Sequence, residues 1–113
     1  MNDKGLKTGA VIVEDDTEIL GVNDRIQLEY LTNVLKHRIN TEHMRNGVTL
    51  IDSNNTYIYD NVQIGKDTVI YPNVVISEGA VIGDNCTIRN NAYIGENVVI
   101  KNGTVVDVGE KII

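Results

Sequence analysis

The chain has 113 residues, a formal net charge of −6, one cysteine and neither Trp nor Phe. Nucleic acid and anionic membranes are bound by basic patches, so the acidic balance argues against both as partners. One cysteine cannot build a disulfide framework, and no apolar run approaches the roughly 20 residues of a membrane span. Because the polar start is also unlike a signal peptide, the sequence predicts a cytoplasmic protein.

The first segment, residues 1–22, is predicted to be a polar tail with one short strand over residues 9–13. Four carboxylates follow within residues 14–18. Such a cluster could hold a metal ion, but a solvated turn is far commoner, and we interpret these residues as a turn.

The second segment, residues 23–47, is predicted to be one long helix. Asn23 or Asp24 can cap its start by accepting hydrogen bonds from backbone N–H groups, and Gly47 suits the left-handed residue that ends a helix. Apolar residues recur at near-helical spacing, and we expect them to pack over the next segment or against a neighbouring subunit: Leu28, Leu31, Leu35, Ile39 and Met44.

The third segment, residues 48–113, carries a six-residue repeat. Ile or Val holds the same place in ten successive hexads: Ile58, Ile64, Ile70, Ile76, Ile82, Ile88, Ile94, Ile100, Val106 and Ile112. A smaller side chain usually follows four residues later: Val62, Thr68, Val74, Ala80, Cys86, Ala92, Val98 and Thr104. Asn, Asp or Gly, which best tolerate positive φ, follow three residues after each Ile or Val from Ile58 to Val106: Asn61, Asp67, Asn73, Gly79, Asn85, Asn91, Asn97, Gly103 and Gly109.

This pattern is typical of a parallel β-helix, in which three hexads form a triangular coil and coils stack about 4.8 Å apart. The alternative, a β-sandwich, has alternating strands at variable spacing, which this sequence does not show. Nine complete hexads from Ile58 to Lys111 predict about three coils, with the Ile/Val column facing inward. Cys86 lies in the smaller inward column, so we expect a buried structural thiol.

The repeat resembles the left-handed parallel β-helix of hexapeptide acyltransferases, so the resemblance implies a mainly β fold preceded by one long α-helix. Three segments carry a closer resemblance: residues 18–28 (EILGVNDRIQL), 45–52 (RNGVTLID) and 56–72 (TYIYDNVQIGKDTVIYP). They resemble the bifunctional N-acetylglucosamine-1-phosphate uridyltransferase/glucosamine-1-phosphate acetyltransferase family, which makes UDP-N-acetylglucosamine. In that family a nucleotidyltransferase domain precedes the long helix, which implies that residues 1–22 are a remnant of such a domain.

By this resemblance, Asn23 corresponds to a Mg²⁺ and substrate ligand of the uridyltransferase site. An amide oxygen can complete an octahedral Mg²⁺ shell of carboxylate, water and phosphate oxygens. However, the sequence has no Gly-rich nucleotide loop of the G-x-G-x-x-G or G-x-x-x-x-G-K type. Capping of the helix is therefore the competing interpretation of Asn23, and we expect no stable Mg²⁺ binding by this chain alone.

Acetyl transfer to an amine needs a general base, normally His, and no His follows His43. His37 and His43 lie six residues apart, not on one helical face, and both are predicted to be surface residues. The missing His also argues against a γ-class carbonic anhydrase, a hexapeptide protein that holds zinc with three His. We therefore assign no catalytic residue, and expect UDP-N-acetylglucosamine and acetyl-CoA to bind only if missing regions are supplied.

Apolar side chains also recur at the outward position before each inward Ile: Tyr57, Val75 and Tyr93 on one face, Val81 and Val99 on the second, Val69 and Val105 on the third. Such ladders suggest buried faces, and the family resemblance implies a homotrimer; β propensity alone is the alternative. The open coil at residues 111–113 leads us to expect a truncated chain or an end covered by a partner. The sequence thus predicts a fragment or short relative of the transferase, or alternatively a non-catalytic trimeric scaffold.

Overall fold

The computed structural model describes residues 25–113. The chain divides into two compact units at Leu35/Lys36, and Lys36–Ile113 form the second of them. The cap predicted at Asn23 or Asp24, the strand predicted at residues 9–13 and the acidic turn at residues 14–18 lie outside the described residues.

The helix, α1, spans Arg25–Arg45 and ends where the sequence indicates. Gly47 has a φ of 96°, its N–H donates to the Met44 carbonyl at 3.1 Å, and the Val48 N–H donates to the His43 carbonyl at 3.1 Å. These two bonds are the Schellman pattern, which satisfies carbonyls left free at the end of a helix.

The apolar stripe predicted along α1 is mostly exposed. Leu28, Leu31, Leu35 and Met44 lie at the surface, and only Ile39 packs, half-buried, against the core of the following segment. The exposure of Met44 shows that the whole stripe does not pack over the next segment. A helix turns about 100° per residue, so Met44 lies on the opposite side from Leu28 and Leu35. Packing of the stripe against a neighbouring subunit stays a prediction.

Eleven two-residue strands follow α1, and they alternate with turns: β1 (Thr49–Leu50), β2 (Tyr57–Ile58), β3 (Gln63–Ile64), β4 (Val69–Ile70), β5 (Val75–Ile76), β6 (Val81–Ile82), β7 (Thr87–Ile88), β8 (Tyr93–Ile94), β9 (Val99–Ile100), β10 (Val105–Val106) and β11 (Lys111–Ile112). They form a left-handed parallel β-helix of about four turns. The predicted fold class is thus confirmed. The nine hexads counted from Ile58 cover β2 to β10, which are three coils, and β1 and β11 together add two-thirds of another.

Three parallel sheets form the faces of this β-helix. Face 1 contains β1, β4, β7 and β10; face 2 contains β2, β5, β8 and β11; face 3 contains β3, β6 and β9. Each strand pairs with the strand one coil away in strict register, as Ile76 does with Ile58 and Ile94 on face 2. A residue therefore lies over the residue 18 positions earlier in every regular coil.

The core is the stack of inward Ile and Val side chains. Ile70, Ile76, Ile88 and Ile94 have no exposed surface, and the end positions Ile64 and Ile112 are half-buried. The smaller column fills the remaining space, with Thr68, Val74, Ala80, Cys86 and Ala92 all buried. Because the inward residues are nearly all β-branched aliphatics, the core can fill without Trp or Phe.

The corners depend on residues with positive φ. All nine predicted positions adopt it: Asn61, Asp67, Asn73, Gly79, Asn85, Asn91, Asn97, Gly103 and Gly109. Asn and Asp tolerate this region because their short polar side chains can form local hydrogen bonds. The corner between β1 and β2 is different: it is two residues longer than the others, at residues 51–56, and contains a 3₁₀ turn, Ser53–Asn55. Asp52 caps this turn by accepting from the Asn54 N–H.

Candidate functional site

Both histidines lie on α1 and differ in exposure. His37 is exposed as predicted, but His43 is half-buried, so its prediction as a surface residue is only partly right. Burial lowers the pKa of His43 below its ordinary value of 6.5, although the nearby Glu42 carboxylate opposes the shift. Residues 25–113 contain no cluster of three His, Cys, Asp or Glu side chains arranged to hold a metal ion.

Cys86 has the structural role that the repeat predicts. Its side chain is 1% exposed, and its Sγ lies 3.1 Å from the carbonyl oxygen of Lys101 in the next coil. Its backbone N–H donates to the Thr68 hydroxyl at 3.1 Å, and that hydroxyl donates to the Gly83 carbonyl at 2.7 Å. Thr68 and Cys86, which stack one coil apart inside the same corner, thus link adjacent coils through hydrogen bonds.

The outward apolar ladders lie on the predicted faces. Tyr57, Val75 and Tyr93 stack on face 2, Val81 and Val99 on face 3, and Val69 and Val105 on face 1. Their exposure differs: Val99 is 69% and Val105 59% exposed, whereas Val75, Val81 and Tyr93 are half-buried within the sheets. The residues predicted to bind a partner are therefore brought together in columns that run along the solenoid.

Cations cover two of the tyrosines from one coil away, which sequence reasoning missed. The Arg89 guanidinium lies 4.8 Å from the centre of the Tyr71 ring, and the Lys111 ammonium lies 5.9 Å from that of Tyr93. Each pair is 18 residues apart, which is one coil, so the repeat period could have found both. Exposed cation–π contacts of this kind contribute about 0.5–1 kcal/mol.

An acidic column follows the same 18-residue rule on the corner between faces 2 and 3. Asp60, Glu78 and Glu96 are all exposed and lie one coil apart. Backbone bonds fix this stacking, because the Gly79 N–H donates to the Asp60 carbonyl and the Asn97 N–H to the Glu78 carbonyl. The like charges raise the local negative potential and make this corner unsuited to anionic partners.

Asn23, the predicted Mg²⁺ and substrate ligand, lies outside the described residues, so its role stays a prediction. The basic residues Lys66, Arg89 and Lys101 are exposed on the solenoid. Within residues 25–113, no helix is both long and apolar enough to cross a bilayer.

Comparison with known proteins matches this architecture. Residues 73–107 match the family described as bacterial transferase hexapeptide (six repeats). The bifunctional protein GlmU of Acetivibrio thermocellus is 53% identical over 64 residues, which is 57% of this chain and 14% of that protein. GlmU of Clostridioides difficile is 49% identical over 67 residues, or 59% of this chain and 15% of that protein. GlmU of Clostridium beijerinckii is 52% identical over 67 residues, again 59% of this chain and 14% of that protein.

Over these residues the chain is similar to GlmU. The resemblance drawn from the three sequence segments and the repeat is thus confirmed. The chain carries a hexapeptide repeat of the bacterial transferase type over residues 73–107, and it spans only about a seventh of the length of the GlmU proteins it matches.

Proposed function

We propose that this chain supplies β-helix structure to the synthesis of UDP-N-acetylglucosamine by a GlmU-related transferase. The reactions would be uridyl transfer to N-acetylglucosamine 1-phosphate and acetyl transfer to glucosamine 1-phosphate. The observation that carries the proposal is the agreement of two independent features. The chain is about half identical to GlmU over 64–67 residues, and its coils keep the strict 18-residue stacking of a hexapeptide transferase repeat.

We further propose that the chain alone holds neither complete active site. The sequence supplies no His after His43 to accept the proton of an attacking amine, and His37 and His43 lie on α1. In the uridyltransferase half, Asn23 would contribute one oxygen ligand to Mg²⁺, and the remaining ligands would come from other residues and the substrate. UDP-N-acetylglucosamine and acetyl-CoA would then bind firmly only when the missing groups are supplied.

Calorimetric titration tests this assignment. The chain would be titrated with UDP-N-acetylglucosamine and Mg²⁺, and separately with acetyl-CoA. Each titration would be made with the chain alone and then with the chain mixed with a full-length GlmU that carries an inactivating substitution in its own β-helix. We expect no acetyl or uridyl transfer by the chain alone. We expect Asn23→Ala to abolish any Mg²⁺-dependent nucleotide binding, with Asn33→Ala, the same substitution at an exposed position of α1, as the matched control. Transfer by the unmixed chain would contradict the proposal of incomplete sites.

A second candidate function is that of a non-catalytic homotrimeric scaffold. The outward apolar ladders favour it, since Val99 and Val105 are more than half exposed and lie in columns on flat β faces. Burial of such columns between copies would remove apolar surface from water at about 25 cal/mol per Å². The assembly we propose is a homotrimer through Tyr57, Val75 and Tyr93 with Val81 and Val99.

Light scattering coupled to size exclusion tests the trimer. We expect a mass about three times the 12.5 kDa of one chain, and a single-chain mass for the Val75→Lys/Tyr93→Lys double variant. Val108→Lys is the matched control, because Val108 is 60% exposed but lies in a turn outside the strand ladders. A parent that runs as a monomer, or a double variant with unchanged mass, would exclude an interface on face 2.

A further inference from the structure

One polar side chain in the second half of α1 is completely buried. Asn40 has 0% exposed surface in the interior of the helix. Its Nδ2 donates two hydrogen bonds, to the carbonyl oxygen of Ser53 at 2.9 Å and to that of Thr56 at 3.0 Å. A single amide group thereby binds both ends of the 3₁₀ turn between β1 and β2.

Two further side chains on the same side of α1 reach this turn. The Lys36 Nζ donates to the carbonyl oxygen of Asn54 at 2.6 Å and lies 4.5 Å from the centre of the Tyr57 ring. Ile39 packs, half-buried, against the aliphatic core. Lys36, Ile39 and Asn40 stand at i, i+3 and i+4, which is the spacing that places side chains on one helical face.

The irregularity of this corner explains why it needs donors from outside. Every other corner contains a residue with positive φ and uses the standard turn, whereas residues 51–56 contain none. The carbonyls of Ser53, Asn54 and Thr56 are paired by side chains of α1 rather than by a neighbouring strand. Face 2 has no coil before β2, so no strand pairs with the Thr56 carbonyl from that side. The bond to Thr56 is buried, that to Ser53 is half-buried and that to Asn54 is exposed. Because buried carbonyl groups in folded proteins are almost always paired, the Asn40 amide supplies the pairing that the buried part of this corner needs.

We propose that Lys36, Ile39 and Asn40 form a clasp over the 3₁₀ turn, and that this clasp opens as a unit of its own while the coils stay folded. The coils hold each other through continuous backbone ladders and a shared core of buried residues, and α1 joins neither except that Ile39 packs against the core from outside. The clasp depends on three side chains. It also contains a weak point, since the buried Asn40 Oδ1 has no hydrogen-bond partner among the residues that the structure describes. Segments with few buried contacts open locally at a lower free energy than the whole domain.

Hydrogen–deuterium exchange of the full chain tests this directly. The clasp amides are those of residues 40–45, Val48 and Asn54, whose bonds lie within the helix, its end and the 3₁₀ turn. The coil amides are those of Val75, Val81 and Thr87, which donate to carbonyls one coil away at 2.8–3.1 Å. In the parent chain we expect the clasp amides to exchange at least about tenfold faster than the coil amides.

Asn40→Ala removes both bonds of the buried amide. We expect it to accelerate exchange of the clasp amides by about tenfold while the coil amides change by less than about twofold. Lys36→Met keeps an apolar side chain beside the Tyr57 ring but removes the bond to Asn54, so it should act in the same direction and by less. Asn33→Ala is the matched control, because it makes the same substitution at an exposed position of α1 and should leave both groups unchanged.

Equal acceleration of clasp and coil amides in Asn40→Ala would show one cooperative unit and overturn the proposal. Unchanged exchange of the clasp amides in Asn40→Ala would also overturn the proposal, because the Asn40 side chain would then not stabilise the clasp. If Asn40→Ala does not fold, Lys36→Met decides: a uniform change or no change in that variant equally refutes a separate clasp.

Discussion

Ile76 offers the sharpest test of the inward register. It lies in β5 on face 2 with no exposed surface, directly between Ile58 and Ile94 of the adjacent coils. Truncation to alanine removes most of its buried side chain, and the stacked neighbours are held by backbone ladders that cannot collapse into the space. Ile→Ala in a core costs about 2–5 kcal/mol, and we expect Ile76→Ala to fall in the upper half of that range. That is a large part of the roughly 5–15 kcal/mol that stabilises an ordinary domain.

Urea unfolding followed by far-UV circular dichroism measures this cost. Ile76→Val should lose about 0.5–1.5 kcal/mol, which gives a graded series. Val108→Ala is the control at a 60% exposed turn position and should change stability by less than about 0.5 kcal/mol. If Ile76→Ala unfolds at the same urea concentration as the parent, or if Val108→Ala costs as much, the inward register described above is wrong.

The remaining predictions concern a corner, a histidine and the acidic column. Gly65→Ala should destabilise the chain by about 1–3 kcal/mol, because the added Cβ would meet the Asp84 side chain and lie 2.6 Å from the Asp84 backbone nitrogen. Gly103→Ala is the control: its Cβ would meet no atom within 4 Å, so only the strain of a φ of 73° should lower its stability. Equal losses of stability in the two variants would count against the steric explanation. For His43, burial keeps the folded-state pKa below the unfolded value of 6.5, so its contribution to stability is complete above pH 6.5 and is lost as pH falls from there through the folded pKa. The melting temperature should therefore drop between pH 7.5 and 5.5 less steeply in His43→Gln than in the parent, whereas His37→Gln should follow the parent. Glu78→Gln should raise the melting temperature by relieving repulsion from Asp60 and Glu96, and the gain should shrink at about 1 M salt, where the Debye length falls to about 3 Å; a gain independent of salt would rule out a charge effect.

The repeat made most of the fold predictable because local and global requirements coincide in it. Each column of the repeat holds one kind of residue, and that kind suits both its local backbone conformation and its place in the coil. Six-residue periodicity alone therefore places Asn61 at a corner and Ile76 inside. The half-buried Ile64 and Ile112 were less predictable, since their exposure depends on whether a neighbouring coil covers them. The spacing of residues in the sequence does not show which inward positions a neighbouring coil covers.

The helix shows the opposite case. Its apolar residues suggested one packed stripe, yet only Ile39 of that stripe packs against the core, and the polar contacts of the second half come from a lysine and an asparagine. Asn is a poor residue for a helix interior because its side chain competes for backbone groups, and this could have marked Asn40 as unusual. The sequence could not predict which carbonyls accept hydrogen bonds from Asn40, because the longer corner at residues 51–56 falls outside the repeat and its spacing does not show which carbonyls are unpaired.

These two cases have a common cause in the 18-residue coil. Wherever the period holds, residues 18 positions apart are neighbours in space, which predicts the contact of Tyr71 with Arg89 as well as that of Ile76 with Ile94. Where an insertion breaks the period, this rule no longer applies, and a nearby element must supply hydrogen-bond partners for the backbone groups of the insertion. In this chain the one irregular corner among the described residues is also the one that accepts side-chain hydrogen bonds from α1. A break in the repeat is therefore a place to look for attached elements in a β-helix, because an insertion leaves backbone groups that the neighbouring coils do not pair.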